Sequence, residues 1–233
     1  MRVIDIDDVI YAMRSQTQFV LRCEEVFHDK ISSAAASILM NKGQKPIVCL
    51  TGPSGSGKTT IEKLILGIYQ PSSGSIWIDG VDMQQIDPAD IRHHIGYVPQ
   101  DIVLFAGSVR DNLMLGSAFS DDVAMLRAAE LGGVMEIVAR HPKGLDMQIG
   151  ERGEALSGGQ RKLLEMARAL MSDPKLVMLD EPMAGVNPAL KQSLLDHIMA
   201  LREEGTTVLF VEHDINMVRH IADWVTVMAE GKI

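Results

Sequence analysis

The sequence is short of the residues that would place it in several whole classes of protein. Aromatic residues make up 4% of its 233 positions, and 22 Lys+Arg stand against 31 Asp+Glu, for a net charge of −9. A chain this poor in stacking rings and positive charge lacks the footprint of a nucleic-acid binder, so no nucleic-acid partner is expected. Its 2 cysteines, Cys23 and Cys49, form no C-x-x-C pair, and Cys49 sits inside the apolar run Ile47-Val48-Cys49-Leu50, where a thiol reads as a small buried hydrophobe. Nothing requires an oxidising compartment. There is no run of about eighteen apolar residues, and the acidic start, Met1-Arg2-Val3-Ile4-Asp5-Ile6-Asp7-Asp8, has no long apolar stretch. Neither a membrane span nor a secretory leader is therefore expected. The expected location is cytoplasmic, with any membrane contact made through a partner. Internal repeats and low-complexity linkers are also lacking.

What is present suits a packed domain: 46% apolar and 23% charged residues lie in the ordinary globular range. From residue 46 onward short β-branched runs alternate with helical patterns, which implies an α/β fold with a mostly parallel sheet flanked by helices. Strands are predicted over 47–51, 176–179, 206–211 and 224–228, and 74–80 reads as a short strand able to form half of a hairpin. A helix follows residue 59, with Ile61, Leu64, Ile65 and Ile68 on its apolar side. Another is predicted over 121–140, with Val123, Leu126, Val134, Ile137 and Val138, and a third after Ser157, with Leu163, Leu164, Ala167, Leu170 and Met171. Residues 144–156 between them read as loop. Asn187 and Pro188 cap and open a helix over 189–203, and Asp214 caps a short one ending at Ile221. Near the start, 22–42 carries Val26, Phe27, Ala34, Ile38 and Leu39 at amphipathic-helix spacing. Of the 15 methionines, Met166, Met171, Met178, Met199 and Met228 fall at apolar periodic positions and are expected in the core. His93-His94 has no second ligand cluster at metal spacing and reads as a solvated pair.

The stretch Gly52-Pro53-Ser54-Gly55-Ser56-Gly57-Lys58-Thr59 fits G-x-x-x-x-G-K-[ST], directly after an apolar strand and before a helix. Its glycines let successive backbone N–H groups converge on a polyphosphate, the helix N-terminus adds its positive end, and Lys58 brings a compact ammonium to the outer phosphates. Thr59 supplies a hydroxyl to Mg²⁺, and Asp180, at the end of an apolar strand, supplies the second half of that magnesium site. Glu181 beside it is suited to polarising an attacking water, which points to hydrolysis rather than transfer to a hydroxyl. Leu156-Ser157-Gly158-Gly159-Gln160 places a serine cap and two glycines at a helix start, a pattern that serves either as a plain cap or as an anion grip.

Taken with residues 52–59, 176–181, Gln100 and His213, this last stretch resembles the ATP-binding cassette (ABC) ATPases, whose family signature is LSGGQ. The resemblance runs from about residue 46 to the end, with the motifs in the family's order and spacing. It implies a P-loop, RecA-like ATPase with an inserted helical subdomain, hydrolysing ATP with Mg²⁺. The ATP-binding core would comprise 46–100 and 175–233, the helical signature subdomain 101–174, and 1–45 an atypical N-terminal segment. Two copies, as a homo- or heterodimer, would sandwich each ATP head to tail. One copy would contribute Gly52 through Thr59 and Thr60, and the other Ser157, Gly158, Gly159 and Gln160. The metal would be held by Thr59, Gln100 and Asp180. Glu181, His213, Gln100 and Lys58 would carry the chemistry, with His213 the switch that contacts the γ-phosphate. Residues 183–187 would couple the two ATP sites, although many cassettes carry aspartate where Asn187 stands. The partner implied is a separate transmembrane permease subunit, which holds the ATPase peripherally on the inner face of the cell membrane. The apolar loop 102–109 is suited to docking a helix of that partner.

The resemblance is uneven along the chain. Residues 24–50 are similar to the lead-in of uridine-kinase-type enzymes, 100–113 to exporter and type I secretion cassettes, and 181–188 with the C-terminal stretch to branched-chain amino-acid importers. Phe27 and Tyr11 are the candidates for stacking on adenine. The chain stops after Gly231-Lys232-Ile233, earlier than most cassettes, so a final helix is expected to be absent. Two rival readings share part of the pattern: a nucleoside-type small-molecule kinase, which leaves 156–160 unexplained, and a non-transport ABC ATPase.

Overall fold

The computed structural model describes residues 47–71, 75–78, 81–115 and 122–229. The amphipathic helix expected over 22–42, Cys23 and the stacking candidates Tyr11 and Phe27 lie outside these residues, as does the end of the chain. The described strands are β1 (Ile47–Thr51), β2 (Trp77–Ile78), β3 (Val81–Asp82), β4 (Ile95–Val98), β5 (Leu176–Asp180), β6 (Thr207–Val211) and β7 (Trp224–Val227). The helices are α1 (Lys58–Ile65), α2 (Pro88–His94), α3 (Val109–Met114), α4 (Asp122–Leu131), α5 (Met135–Val138), α6 (Gly158–Leu170), α7 (Pro188–Glu203) and α8 (Ile215–Ile221).

Five strands form one sheet in the order β4-β5-β6-β1-β7, every neighbouring pair parallel. Successive side chains alternate between the faces. Ile47, Cys49, Val177, Leu179, Val208 and Phe210 pack on one face with α3 through α8, while Leu50, Leu176, Met178, Leu209 and Val211 pack on the other with α1, α2 and the β2–β3 hairpin. Burial on both faces is why these strands read as continuous apolar runs rather than alternating ones. Register decides where the loops go. Leu50 and Asp180 both lie opposite Val211, and Val98 lies opposite Leu179, so β1, β4, β5 and β6 end level with one another. The loops that follow these strands therefore share the carboxyl edge of the sheet, where ligands bind in α/β folds of this kind.

Most of the predicted elements are present, with corrections. The helix expected over 121–140 is two helices, because Gly132 and Gly133 interrupt it. Gly133 adopts φ +75, which favours glycine, and a Cβ on Gly132 would stand 2.6 Å from Ala167 Cα, so the end of α4 packs against α6 only because glycine stands there. Val123 and Leu126, expected on its apolar face, are exposed, and Met125, Ala128 and Ala129 are buried instead. Likewise α1 stops at Ile65, Gly67 turns with φ +66, and Ile68 is exposed. The hairpin suggested by 74–80 forms as the antiparallel β2–β3 pair. Within 144–156 the chain makes two short 3-10 turns and an isolated bridge from Gln148 to Ser108. Met166, Met171, Met178 and Met228 are core residues, and Met199 is partly buried against the core.

Candidate functional site

The loop between β1 and α1 is shaped by close approach. Gly52 has φ +144, and a Cβ there would lie 2.0 Å from the carbonyl oxygen of Met228, whose N–H donates to Thr51 O at 2.7 Å. Only glycine lets the loop leave β1 past the end of β7. Gly57, at φ +94, precedes α1 with no side-chain cap, so the first N–H groups of that helix are left for an anion. Lys58 is buried, and its Nζ donates to Gly52 O at 2.8 Å, Pro53 O at 2.9 Å and Ser56 Oγ at 3.3 Å. The ammonium thus organises the loop around itself, while Pro53, Ser54 and Gly55 stay exposed at its tip and Thr60 is exposed on α1.

On the same edge, Thr59 Oγ1 donates to Asp180 Oδ2 at 3.0 Å, joining residues 121 positions apart. Burial pushes the Asp180 carboxyl above its ordinary range, and the neighbouring charge of Glu181 pushes the same way against the Thr59 hydrogen bond. A hydroxyl and a buried carboxylate short of positive charge are hard oxygen donors that fit Mg²⁺, with phosphate and water completing its coordination. Among the described residues there is no group of three or more His, Cys, Asp or Glu able to hold a metal. His93 is exposed, whereas His94 is half-buried with Nδ1 2.9 Å from Asp90 O.

Glu181 stands in the left-handed region at φ +46, a strained conformation for a side chain of its kind, and its N–H donates to Val211 O at 3.0 Å. That turn aims its carboxylate at two partners. Gln100 Nε2 donates to Oε2 at 3.0 Å, and His213 Nδ1 lies 4.0 Å from Oε1. Gln100, Glu181 and His213 therefore meet from the ends of β4, β5 and β6, and His213, 67% exposed, also has Nδ1 3.7 Å from Glu212 Oε2.

Ser157, Gly158, Gly159 and Gln160 form the first turn of α6 rather than part of this cluster. Ser157 Oγ accepts from Gln160 N at 3.3 Å, and Gln160 Oε1 accepts from Ser157 N at 2.9 Å, a reciprocal capping box. A Cβ on Gly159 would stand 2.6 Å from Leu190 Cδ1 and 3.2 Å from Leu190 Cβ, so this glycine lies in close contact with α7. Among the described residues no hydrogen bond or ion pair joins 157–160 to 52–60. Asn187 Oδ1 accepts from Leu190 N at 3.0 Å, which commits it to capping α7.

Three residues beside the site escaped the sequence reading. Glu212, buried after β6, accepts from Met183 N at 3.0 Å and His213 N at 3.1 Å, fixing both neighbouring loops. Its sequence signal is a carboxylate directly behind an apolar strand. Glu62 is fully buried on α1 beside the Tyr97 hydroxyl, with neither carboxyl oxygen in good hydrogen-bond geometry. Burial, then the charge of Asp180, pushes its carboxyl up to about 9. Lys162, buried on α6, donates to the backbone carbonyls of Pro99 and Gln100. Both have the same signal, a charged residue on the apolar side of a helix.

A sequence profile described as ABC transporter matches residues 36–184. The chain is similar to the ATP-binding cassette sub-family B member 10, mitochondrial, of Mus musculus, 39% identical over 193 residues, covering 80% of this chain and 26% of that protein. It is similar to the type I secretion system ATP-binding protein PrsD of Rhizobium meliloti (strain 1021), 38% identical over 186 residues, covering 80% of this chain and 32% of that protein. Among solved structures, a bacterial Atm1-family ABC exporter with ATP bound superposes with a TM-score of 0.73 at 31% identity, covering 81% of this chain and 33% of that one. The chain thus spans about a third or less of the length of these relatives.

Proposed function

The chain belongs to the ABC transporter family, and from that premise we propose that it binds Mg·ATP between two cassettes and hydrolyses it to drive a transmembrane permease. The observation that carries the reading is the meeting of Thr59, Gln100, Asp180, Glu181 and His213 on one sheet edge beside the Lys58 loop. In this reading Gly52 through Thr60 wrap the phosphates, and Lys58 exchanges loop carbonyls for phosphate oxygens. Thr59, Asp180 and Gln100 hold Mg²⁺, which when bound neutralises charge on the phosphates. Glu181 accepts a proton from the attacking water as its oxygen bonds to the γ-phosphorus and the bond to the β-phosphate oxygen breaks, leaving ADP and phosphate. His213, 4.0 Å from Glu181, contacts the γ-phosphate.

Ser157, Gly158, Gly159 and Gln160 serve the nucleotide of the opposite copy; Ser157 is exposed at the start of α6, and among the described residues no hydrogen bond ties the four to the Lys58 loop. The dimer is homo- or heteromeric, the ATP-binding core is 46–100 with 175–233, and 101–174 is the helical signature subdomain. No helix among the described residues is long and apolar enough to cross a membrane. In this reading a separate permease subunit supplies the membrane part and holds the chain at the cytoplasmic face. The names of the secretion and exporter relatives favour export. A kinase reading leaves the Ser157 cap without a task.

The test is phosphate release by the full chain against protein concentration, with Glu181→Gln beside it. Specific turnover should rise with concentration as dimers form. The variant should keep its ATP affinity within about twofold and lose about 10²-fold or more in turnover. Full, concentration-independent turnover, or an unaffected Glu181→Gln, would refute the reading.

A further inference from the structure

Two carboxylates stand beside one nitrogen of the His213 ring. Nδ1 lies 3.7 Å from Glu212 Oε2 and 4.0 Å from Glu181 Oε1. The two acceptors differ in freedom. Glu212 is 1% exposed and accepts from Met183 N at 3.0 Å and His213 N at 3.1 Å, so main-chain donors of two loops fix its carboxylate in place. Glu181 is the more exposed of the pair, and its Oε2 already receives Gln100 Nε2 at 3.0 Å, which leaves Oε1 as the oxygen open to a water. Asp214, next in the chain, is committed to capping α8, accepting from Asn216 N at 3.1 Å and Met217 N at 3.3 Å. A carboxylate only accepts, so negative charge beside Nδ1 favours a proton on that nitrogen. Neither distance is a hydrogen bond, and the contribution is electrostatic; the nearer, buried charge of Glu212 is the less screened.

We infer that Glu212 is a positioning residue that keeps the neutral His213 ring protonated at Nδ1, so that Nε2 is the nitrogen offered to the ligand and Glu181 Oε1 is left to water. The role of that arrangement in hydrolysis rests on the nucleotide reading above. Were Glu181 to hold the imidazole proton itself, both of its oxygens would be engaged, one by Gln100 and one by His213. The opposite tautomer would turn a ring lone pair toward two carboxylates. A phosphate oxygen also only accepts, so the proton that joins the ring to it is added at Nε2 from solvent, while Nδ1 keeps its own.

The test is nitrogen-15 NMR of the full chain with labelled histidine, without nucleotide, at about pH 8.5, roughly two units above an ordinary imidazole. The His213 signals are those lost in His213→Gln, and their shifts report which ring nitrogen carries the proton. In the wild type the Nδ1–H tautomer should be the majority. Glu212→Gln should move the tautomer ratio toward Nε2–H by about tenfold, the equilibrium weight of one hydrogen bond, and Glu181→Gln should leave it within about twofold. A wild type with Nε2–H in the majority would overturn the inference, whether or not any variant folds. So would a Glu212→Gln protein with the wild-type ratio, or a Glu181→Gln protein that loses the Nδ1 proton. Saturating Mg²⁺ and a non-hydrolysable ATP analogue should then shift Nε2 and leave Nδ1 protonated. His213 signals unmoved by that addition would overturn the γ-phosphate contact of the nucleotide reading, while the ratio taken without nucleotide still decides the role of Glu212.

Discussion

Glu62 offers a test of the site's electrostatics that needs no nucleotide. It is fully buried behind the phosphate loop, and its carboxyl is pushed up from an ordinary 4.5 to about 9, first by burial and then by the charge of Asp180. The folded protein therefore holds a proton that the unfolded chain gives up above its ordinary value. The sign follows: this group's contribution is full below about pH 4.5 and is lost as pH rises toward about 9. In that window a single group changes stability by roughly 1 kcal/mol per pH unit, so on the order of 3 kcal/mol is lost between about pH 6 and about pH 8. Urea unfolding at those two values, with chelator and no nucleotide, reads this difference. A cation at Asp180 would oppose the negative charge, lower the Glu62 pKa and flatten the slope. Glu62→Leu, of similar volume and with nothing to ionise, should remove this pH dependence and be the more stable protein at the alkaline end. A Glu62→Leu protein that keeps the wild-type slope would refute the reasoning, since another group would then be carrying it.

Gly52→Ala should lower unfolding stability by about 3 kcal/mol or more, because its Cβ would sit 2.0 Å from Met228 O at a φ of +144. A thermal melt shifted as though by less than about 1 kcal/mol would show that the end of β7 yields instead. Asn187→Ala removes the Leu190 hydrogen bond and should cost about 1 kcal/mol, whereas Asn187→Asp keeps it and adds a favourable charge at the N-terminus of α7, worth about 0.3–1 kcal/mol. Low-salt denaturation curves with aspartate below asparagine would contradict the capping role.

Whatever depends on neighbours along the chain could be read directly from the residues. The phosphate loop between β1 and α1, the Ser157, Asn187 and Asp214 caps and the apolar strands all follow from backbone sterics and hydrogen bonds that act within a few positions. Even the glycine break between α4 and α5 is written as Gly132-Gly133, but its force comes from the backbone of Ala167 on another helix, and the apolar spacing across it suggests continuity. Residues far apart along the chain could be grouped from motifs, but their contacts are decided by the tertiary structure. Thr59 meets Asp180, and Gln100 meets Glu181, only because four parallel strands end level, a register set by packing on both faces of the sheet. Burial is likewise collective: Glu62 and Lys162 look like surface residues in a list of letters. Enclosure by other elements forces one to hold its proton and the other to spend its charge on two distant carbonyls.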